Sequence, residues 1–169
     1  EQKKLLVLSE PDDDSCTGSW EYLIANDLRF DDVDWLFVRS GTRASEEEIA
    51  GRVAVHIDTG MLYDGELNFD HHQPDERVLR ECAATLVYNS FREKFGDDPI
   101  YKLIADYVLM VDHGLGKEAS DLIHGGQFTA ILRDLSVHLH ALKYTLDRKE
   151  RIRIGHNLLD CFYKATKNE

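Results

Sequence analysis

The sequence predicts an α/β layer fold: a largely parallel sheet flanked by helices, followed by a helical back half. Short apolar runs stopped by turn residues alternate with helical patterns through the front of the chain. The runs are continuously apolar, as in strands buried on both faces. The 169 residues, 43% of them apolar, contain no repeat, low-complexity segment or linker that would divide them, so a single domain over residues 1–169 is expected.

Leu5 to Leu8 is the first such run, and Ser-Glu-Pro-Asp-Asp-Asp-Ser follows it as a loop of carboxylates. Trp20, Leu23, Ile24 and Leu28 then recur at helical spacing and predict a helix over Gly18 to Leu28. Val33 to Val38 reads as a second strand, with Arg39 to Arg43 as its outgoing loop. Ser45, with Glu48 three residues on, is a capping-box start for a short helix, and Glu46 and Glu47 suit its positive end.

Val53 to Ile57 is the third strand, ending at Asp58-Thr59-Gly60. Leu62 to Phe69 reads as a hairpin turning at Asp64-Gly65 and delivering Asp70-His71-His72. Helices are expected over Val78 to Phe95 and Pro99 to Val111, the second opened by a first-turn proline and ended at Asp112-His113-Gly114. Beyond Gly125-Gly126, helical patterns cover Gln127 to Leu142 and Leu146 to Ala165.

Charge excludes some functions. With 20 basic and 32 acidic side chains the formal charge is −12, which opposes generic docking on nucleic acid or an anionic membrane. Residues 143 to 169 carry seven basic and four acidic groups, so the front of the chain holds the whole excess of acid. Cys16, Cys82 and Cys161 are odd in number and widely spaced, which suggests neither a disulfide framework nor a thiolate metal site and fits a reducing, cytoplasmic compartment. No stretch of about 18 apolar residues exists for a bilayer span, and the opening residues lack the form of a secretory signal.

Asp12-Asp13-Asp14, Asp58, Asp70-His71-His72 and Asp112-His113 each follow an expected strand, hairpin or helix. In an open parallel sheet the carboxyl ends of the strands share one edge, so Asp14 and Asp58 can face one crevice. Clustered carboxylates raise one another's pKa, and divalent cations remove that cost most simply. Oxygen ligands with one or two imidazoles suit Mn²⁺ or Mg²⁺. His138 and His140, two apart on a helix, and His124 and His156 lack that carboxylate setting, while His56 reads as a structural sheet residue.

In that order and with the Asp-His-His tripeptide, these motifs resemble the DHH phosphoesterase superfamily, most closely its MYG1-type family of metal-dependent hydrolases and exonucleases. Phe37-Val38-Arg39-Ser40-Gly41-Thr42-Arg43, His56 to Asp64, Asn68-Phe69-Asp70-His71-His72-Gln73 and Cys82 to Tyr88 carry the likeness, which is specific from Val38 to Gly114. The resemblance implies a Rossmann-like DHH-type domain and two Mn²⁺ ions, Mg²⁺ being the alternative. It implies that Asp12 binds the first ion and Asp14 the second, with Asp58 bridging and His71 and Asp112 completing the ligands of the second ion. It makes Asp70 an orienting residue and His72 a donor to a substrate phosphate oxygen.

The family's second half is missing, so a partner chain or homo-oligomer is expected to help grip substrate. The family's histidine ahead of the first carboxylate pair is here Leu8 or Ser9, with Glu10 or Asp13 as possible replacements.

The expected function is Mn²⁺-dependent hydrolysis of phosphodiester or phosphoanhydride bonds by a two-metal activated water. The substrate is a nucleotide or short single-stranded nucleic acid, with Arg39, Arg43 and His113 as substrate contacts. The alternative is a catalytically degenerate nucleotide- or metal-binding module, or a subunit of a larger nuclease.

Overall fold

The computed structural model describes residues 2–122 and 135–168; His124, Gly125-Gly126 and the first half of the helix expected over Gln127 to Leu142 lie outside them. The described elements are β1 (Leu5–Leu8), α1 (Asp13–Ala25), β2 (Asp34–Phe37), α2 (Glu46–Ile49), β3 (Ala54–Ile57), β4 (Asn68–Phe69), α3 (Ala83–Ser90) and α4 (Arg92–Phe95). The helical back half follows as α5 (Pro99–Asp112), α6 (Gly116–Leu122), α7 (Leu135–Ala141) and α8 (Arg148–Lys167). The strands form one parallel sheet in the order β2-β1-β3-β4, so the fold is the expected Rossmann-like α/β layer.

Four successive apolar residues make β1 the inner strand, with every residue buried. Leu6 and Leu8 share one core with Val55, Ile57 and Phe69 of the neighbouring strands and with Cys16, Trp20 and Leu23 of α1. On the other face His56 pairs in register with Val7. Its Nε2 accepts the Ala44 N–H at 3.1 Å, so the β2–β3 connection covers that side, while its buried Nδ1 has no hydrogen-bond partner among the described residues. No helix among the described residues is long and apolar enough to cross a membrane.

Three boundaries differ from expectation. The carboxylate segment is the start of α1 rather than a loop: Asp12 caps the helix by accepting from the Ser15 N–H, and Asp13 and Asp14 occupy its first turn. Negative charge is favoured at that end, and Ser15 in turn accepts from the Asp12 N–H. The helix expected from Val78 begins at Ala83, because Cys82 and Thr85 cap it reciprocally, and it breaks at Phe91 before the short α4. The hairpin reduces to one antiparallel bridge, Tyr63 with Phe69, while β4 joins β3 in parallel. The Asp64 carboxylate holds the turn by accepting the N–H groups of Glu66, Leu67 and Asn68.

The C-terminal helix returns across α1 at one close approach. A Cβ on Gly155 would run into the Cys16 sulfur, and Cys16 has no exposure. Gly155→Ala is therefore expected to destabilise the protein by about 1–3 kcal/mol through overpacking. Adding Cys16→Ala should recover much of that loss, read as chemical-denaturation midpoints of the single and double variants.

Candidate metal centre

The parallel sheet brings three loops to its carboxyl edge, and each contributes acid. Asp14 enters from the first turn of α1 and is fully buried. Its two oxygens accept the N–H groups of Ala83 and Ala84 at 3.1 and 2.9 Å, so the carboxylate supplies partners for donors that a helix start leaves unpaired.

Asp58 follows β3 in the left-handed conformation, with φ of 62°. Gly60 and Met61 also have positive φ, 95° and 59°, so the turn concentrates strain. Several contacts hold it: Met61 N–H donates to Asp70 at 2.7 Å, Thr59 Oγ1 donates to the Thr42 carbonyl at 2.8 Å, and Arg43 donates to the Gly60 carbonyl at 3.2 Å.

The three loops meet at His71. Its Nε2 lies 3.1 Å from Asp58 Oδ1, 3.2 Å from Asp14 Oδ2 and 3.9 Å from Asp112 Oδ2, the last reaching in from the C-terminal residue of α5. One imidazole nitrogen cannot donate fully to three carboxylates. Asp70, fully buried, accepts from the His71 backbone N–H at 2.9 Å and pairs with His72 Nδ1 at 2.6 Å. That fixes the His72 ring while leaving its side chain 51% exposed, as suits a group that meets a ligand.

The electrostatics record crowding. Burial and the neighbouring Asp14 push Asp12 up to about 6. Burial, then Asp12 and Asp14, push Asp13 up to about 7. Burial and the Asp14 charge raise Asp58 well above the carboxylate range, and its carboxyl hydrogen-bonds Asp14. Burial works against ionised Asp14 too, but His71 and the Ala83 and Ala84 N–H groups outweigh it and hold Asp14 low. The proton of this pair therefore resides on Asp58. Burial disfavours charge on His71, yet the hydrogen bond and charge of Asp14 raise its pKa. A chain of carboxyls sharing protons is what divalent cations replace.

The donor set fits such an ion. Asp14, His71 and Asp112 each offer a ligand atom within 4.8 Å of the others, and so do Asp58, Asp70, His71 and His72. Oxygen donors with imidazole suit Mn²⁺ or Mg²⁺. The two nearest thiols do not compete, since burial pushes Cys16 and Cys82 well above their usual range and keeps them protonated.

The structure thus gathers Asp14, Asp58, Asp70, His71, His72 and Asp112. Asp12 stands beside this group, with one oxygen accepting from the Ser15 N–H and hydroxyl at 2.8 and 3.0 Å. Of the two possible replacements for the missing first-motif histidine, Glu10 turns away to Arg148 at 3.0 Å, whereas Asp13 is buried and feels Asp12, Asp14 and Asp112.

Arg43 is engaged with Gly60 and, at 2.9 Å, with Asn68, so it positions the Asp58 turn. Arg39 lies on the exposed loop after β2, and His113 caps α5 with its ring 3.3 Å from the Glu81 carbonyl. One acidic group escaped the sequence reading. Glu21, two helical turns after Asp14, is 1% exposed and neither oxygen has a hydrogen-bond partner among the described residues. Burial and then Asp14 raise its pKa well above normal.

These shifts set the pH dependence of the metal-free protein. Asp13 and Asp58 bind protons more tightly folded than unfolded, and so do His71 and His72, so their contribution to stability grows as pH falls from 8 toward 6.5. His156 and His56, depressed to about 3 and about 4 by burial, act oppositely below about 6.5, where the unfolded chain takes up protons they refuse. Metal-free melting temperature should therefore rise on acidification from pH 8, and rise less steeply below about pH 6.5, where the two histidines oppose the raised carboxyls Asp12, Asp13, Glu21 and Asp58. Asp58→Asn should raise it at pH 8 and flatten the slope, which thermal melts of both proteins across that range would show.

No protein-family model matches the sequence, and no curated protein or solved structure gives a significant match to it.

Proposed function

We propose that the chain is a metal-dependent phosphoesterase of DHH type that hydrolyses phosphodiester or phosphoanhydride bonds of nucleotides or short single-stranded nucleic acids. The supporting observation is the convergence of Asp14, Asp58 and Asp112, from three separate elements, on the single nitrogen of His71. Such a group is costly as a purely structural device, because burying like charges without partners destabilises the fold. It is economical as a cation site.

Asp14, Asp58, His71 and Asp112 would hold one Mn²⁺ or Mg²⁺, and Asp12, Asp13 and Asp58 a second. Ions of this kind supply an activated water at neutral pH and neutralise charge on phosphoryl oxygens. The protein's own groups do the remainder. Asp70 fixes the ring of His72 through Nδ1 and raises its pKa, so that in the imidazolium form Nε2–H can donate to a phosphate oxygen. The Met61 N–H bond to Asp70 ties the strained Asp58 turn to the Asp-His-His segment, which keeps carboxylate and imidazole in register. Asp14, fastened to α3, cannot swing away from the centre.

The degenerate-module alternative keeps one argument in its favour: Asp12 is committed to capping, and Leu8 is fully buried in the core, so the second ion has the poorer ligand set. Three free cysteines, two of them buried, agree with a reducing cytoplasmic setting.

Hydrolysis of bis(p-nitrophenyl) phosphate with Mn²⁺ tests the reading. Asp58→Asn should reduce turnover by at least about a thousandfold, because the bridging charge is gone while folding is retained. His72→Ala should lower kcat by about a hundredfold or more and leave Mn²⁺ affinity within a few fold. Ser9→His, at the more accessible of the two positions, should raise affinity for the weaker ion. Full turnover in Asp58→Asn would dismiss the site, and equal Mn²⁺ affinity of two sites in the wild type would show that Asp13 already completes the site beside Asp12.

A further inference from the structure

A substrate bearing phosphates must approach an edge crowded with carboxylates, and Arg43 of the β2–β3 connection is committed elsewhere. Arg43 is engaged with Gly60 and Asn68. The cations placed beside the first carboxylate segment come from the other end of the chain. Gly155 seats α8 against Cys16 of α1, and Arg151 lies one helical turn earlier, with Arg148 one residue row further.

Both arginines reach Glu10. Arg148 Nη2 is 3.0 Å from Glu10 Oε1, and Arg151 Nη1 is 3.7 Å from Glu10 Oε2. Glu10 immediately precedes the capped segment, and the Ser15 hydroxyl joins them by donating to the Glu10 carbonyl at 2.8 Å and lying 3.0 Å from Asp12 Oδ1. The arginine pair therefore holds the residue two positions before Asp12.

Arg151 is poorly compensated where it stands. The residue is 5% exposed, and its Nε is buried without a hydrogen-bond partner among the described residues. Its one anionic contact among the described residues is the long one to Glu10. A buried guanidinium is stabilised best by two parallel hydrogen bonds to one anion, and Glu10 divides its two oxygens between two arginines instead. A tetrahedral phosphate presents enough oxygens to engage both guanidiniums at once. The Glu10 side chain, 55% exposed, is free to leave toward solvent.

We propose that Arg148 and Arg151 form a phosphate-binding site at the rim of the metal centre, occupied by the Glu10 carboxylate until a substrate phosphate displaces it. The anion site stands on these contacts alone; its assignment to a phosphate flanking the bond to be cleaved rests on the phosphoesterase reading. Glu10 thereby acts as a tethered competitor. The basic C-terminal segment, opposite in sign to the rest of the chain, acquires a role in substrate grip.

Calorimetric titration of the metal-free full chain with inorganic phosphate and with thymidine 5′-monophosphate tests this. Glu10→Gln should bind both about tenfold more tightly than the wild type, and Arg148→Gln about tenfold more weakly. Both residues are part-exposed, and thermal melts confirm that these variants fold; Arg151→Lys, which keeps charge but loses the fork, should follow Arg148→Gln.

Unchanged affinities in folded Glu10→Gln and Arg148→Gln would overturn the site. Binding of phosphate without the nucleotide would make it a free-phosphate site and overturn the substrate assignment. A wild type that shows the expected order of affinities yet hydrolyses no phosphoester with Mn²⁺ would sink the enzymatic reading and leave the anion site supported.

Discussion

A fully buried carboxylate, Asp14, joins the parts of this protein that matter. Its oxygens accept two backbone N–H groups at the start of α3, and the same group faces His71 and shares a proton with Asp58. Helix α1, helix α3, the turn after β3 and the Asp-His-His segment are thus tied to one side chain. Two amide donors and an imidazole suffice to keep Asp14 ionised despite burial, and this leaves its neighbours to hold the protons. The neighbouring acids carry raised pKa values as a direct consequence of where Asp14 is anchored.

The same arrangement explains why strain gathers next to the centre. The turn from Asp58 to Met61 places two non-glycine residues in the left-handed region, a conformation that persists only when surrounding contacts over-determine it. Asp70, Thr42 and Arg43 provide those contacts from three directions. At Gly60 a Cβ would meet the Arg43 guanidinium, so the absence of a side chain there lets Arg43 close over the turn. The packing of α8 serves two ends in a comparable way: Gly155 permits close contact with α1, and the same helix carries Arg148 and Arg151 to Glu10.

Much of this was legible in the sequence because local chemistry and tertiary structure agree there. Leu5 to Leu8 could be read as a buried inner strand from its unbroken apolar run, and Ser45 with Glu48 forms the capping box that its spacing announces. Asp14 and Asp58 could be placed on one edge because the carboxyl ends of parallel strands lie together.

The misreadings have a common cause. Three successive aspartates look like a solvated turn, yet Asp12 with Ser15 three residues on is also a helix start, and only the packing of α1 decides between them. Glu21 was passed over because helical periodicity was scored on apolar positions, and a protonated carboxyl occupies a core position as an apolar group of its size would. The approach of Arg148 and Arg151 to Glu10 depends on how two helices distant in sequence pack, and nothing local encodes it. The hydrogen bonds by which Arg43, expected at the substrate, also holds the Asp58 turn are likewise tertiary and have no local signal.

The claim on which the account turns is that protons now shared among Asp13, Asp58 and His71 stand in the place of divalent cations. Calorimetric titration of Mn²⁺ into the metal-free protein at pH 7, repeated in two buffers of different ionisation heat, measures this directly through the protons that leave. The account predicts saturable binding with net release of about one proton or more per chain, the amount shrinking as pH is raised. Binding without proton release, or no binding at millimolar Mn²⁺, would contradict it.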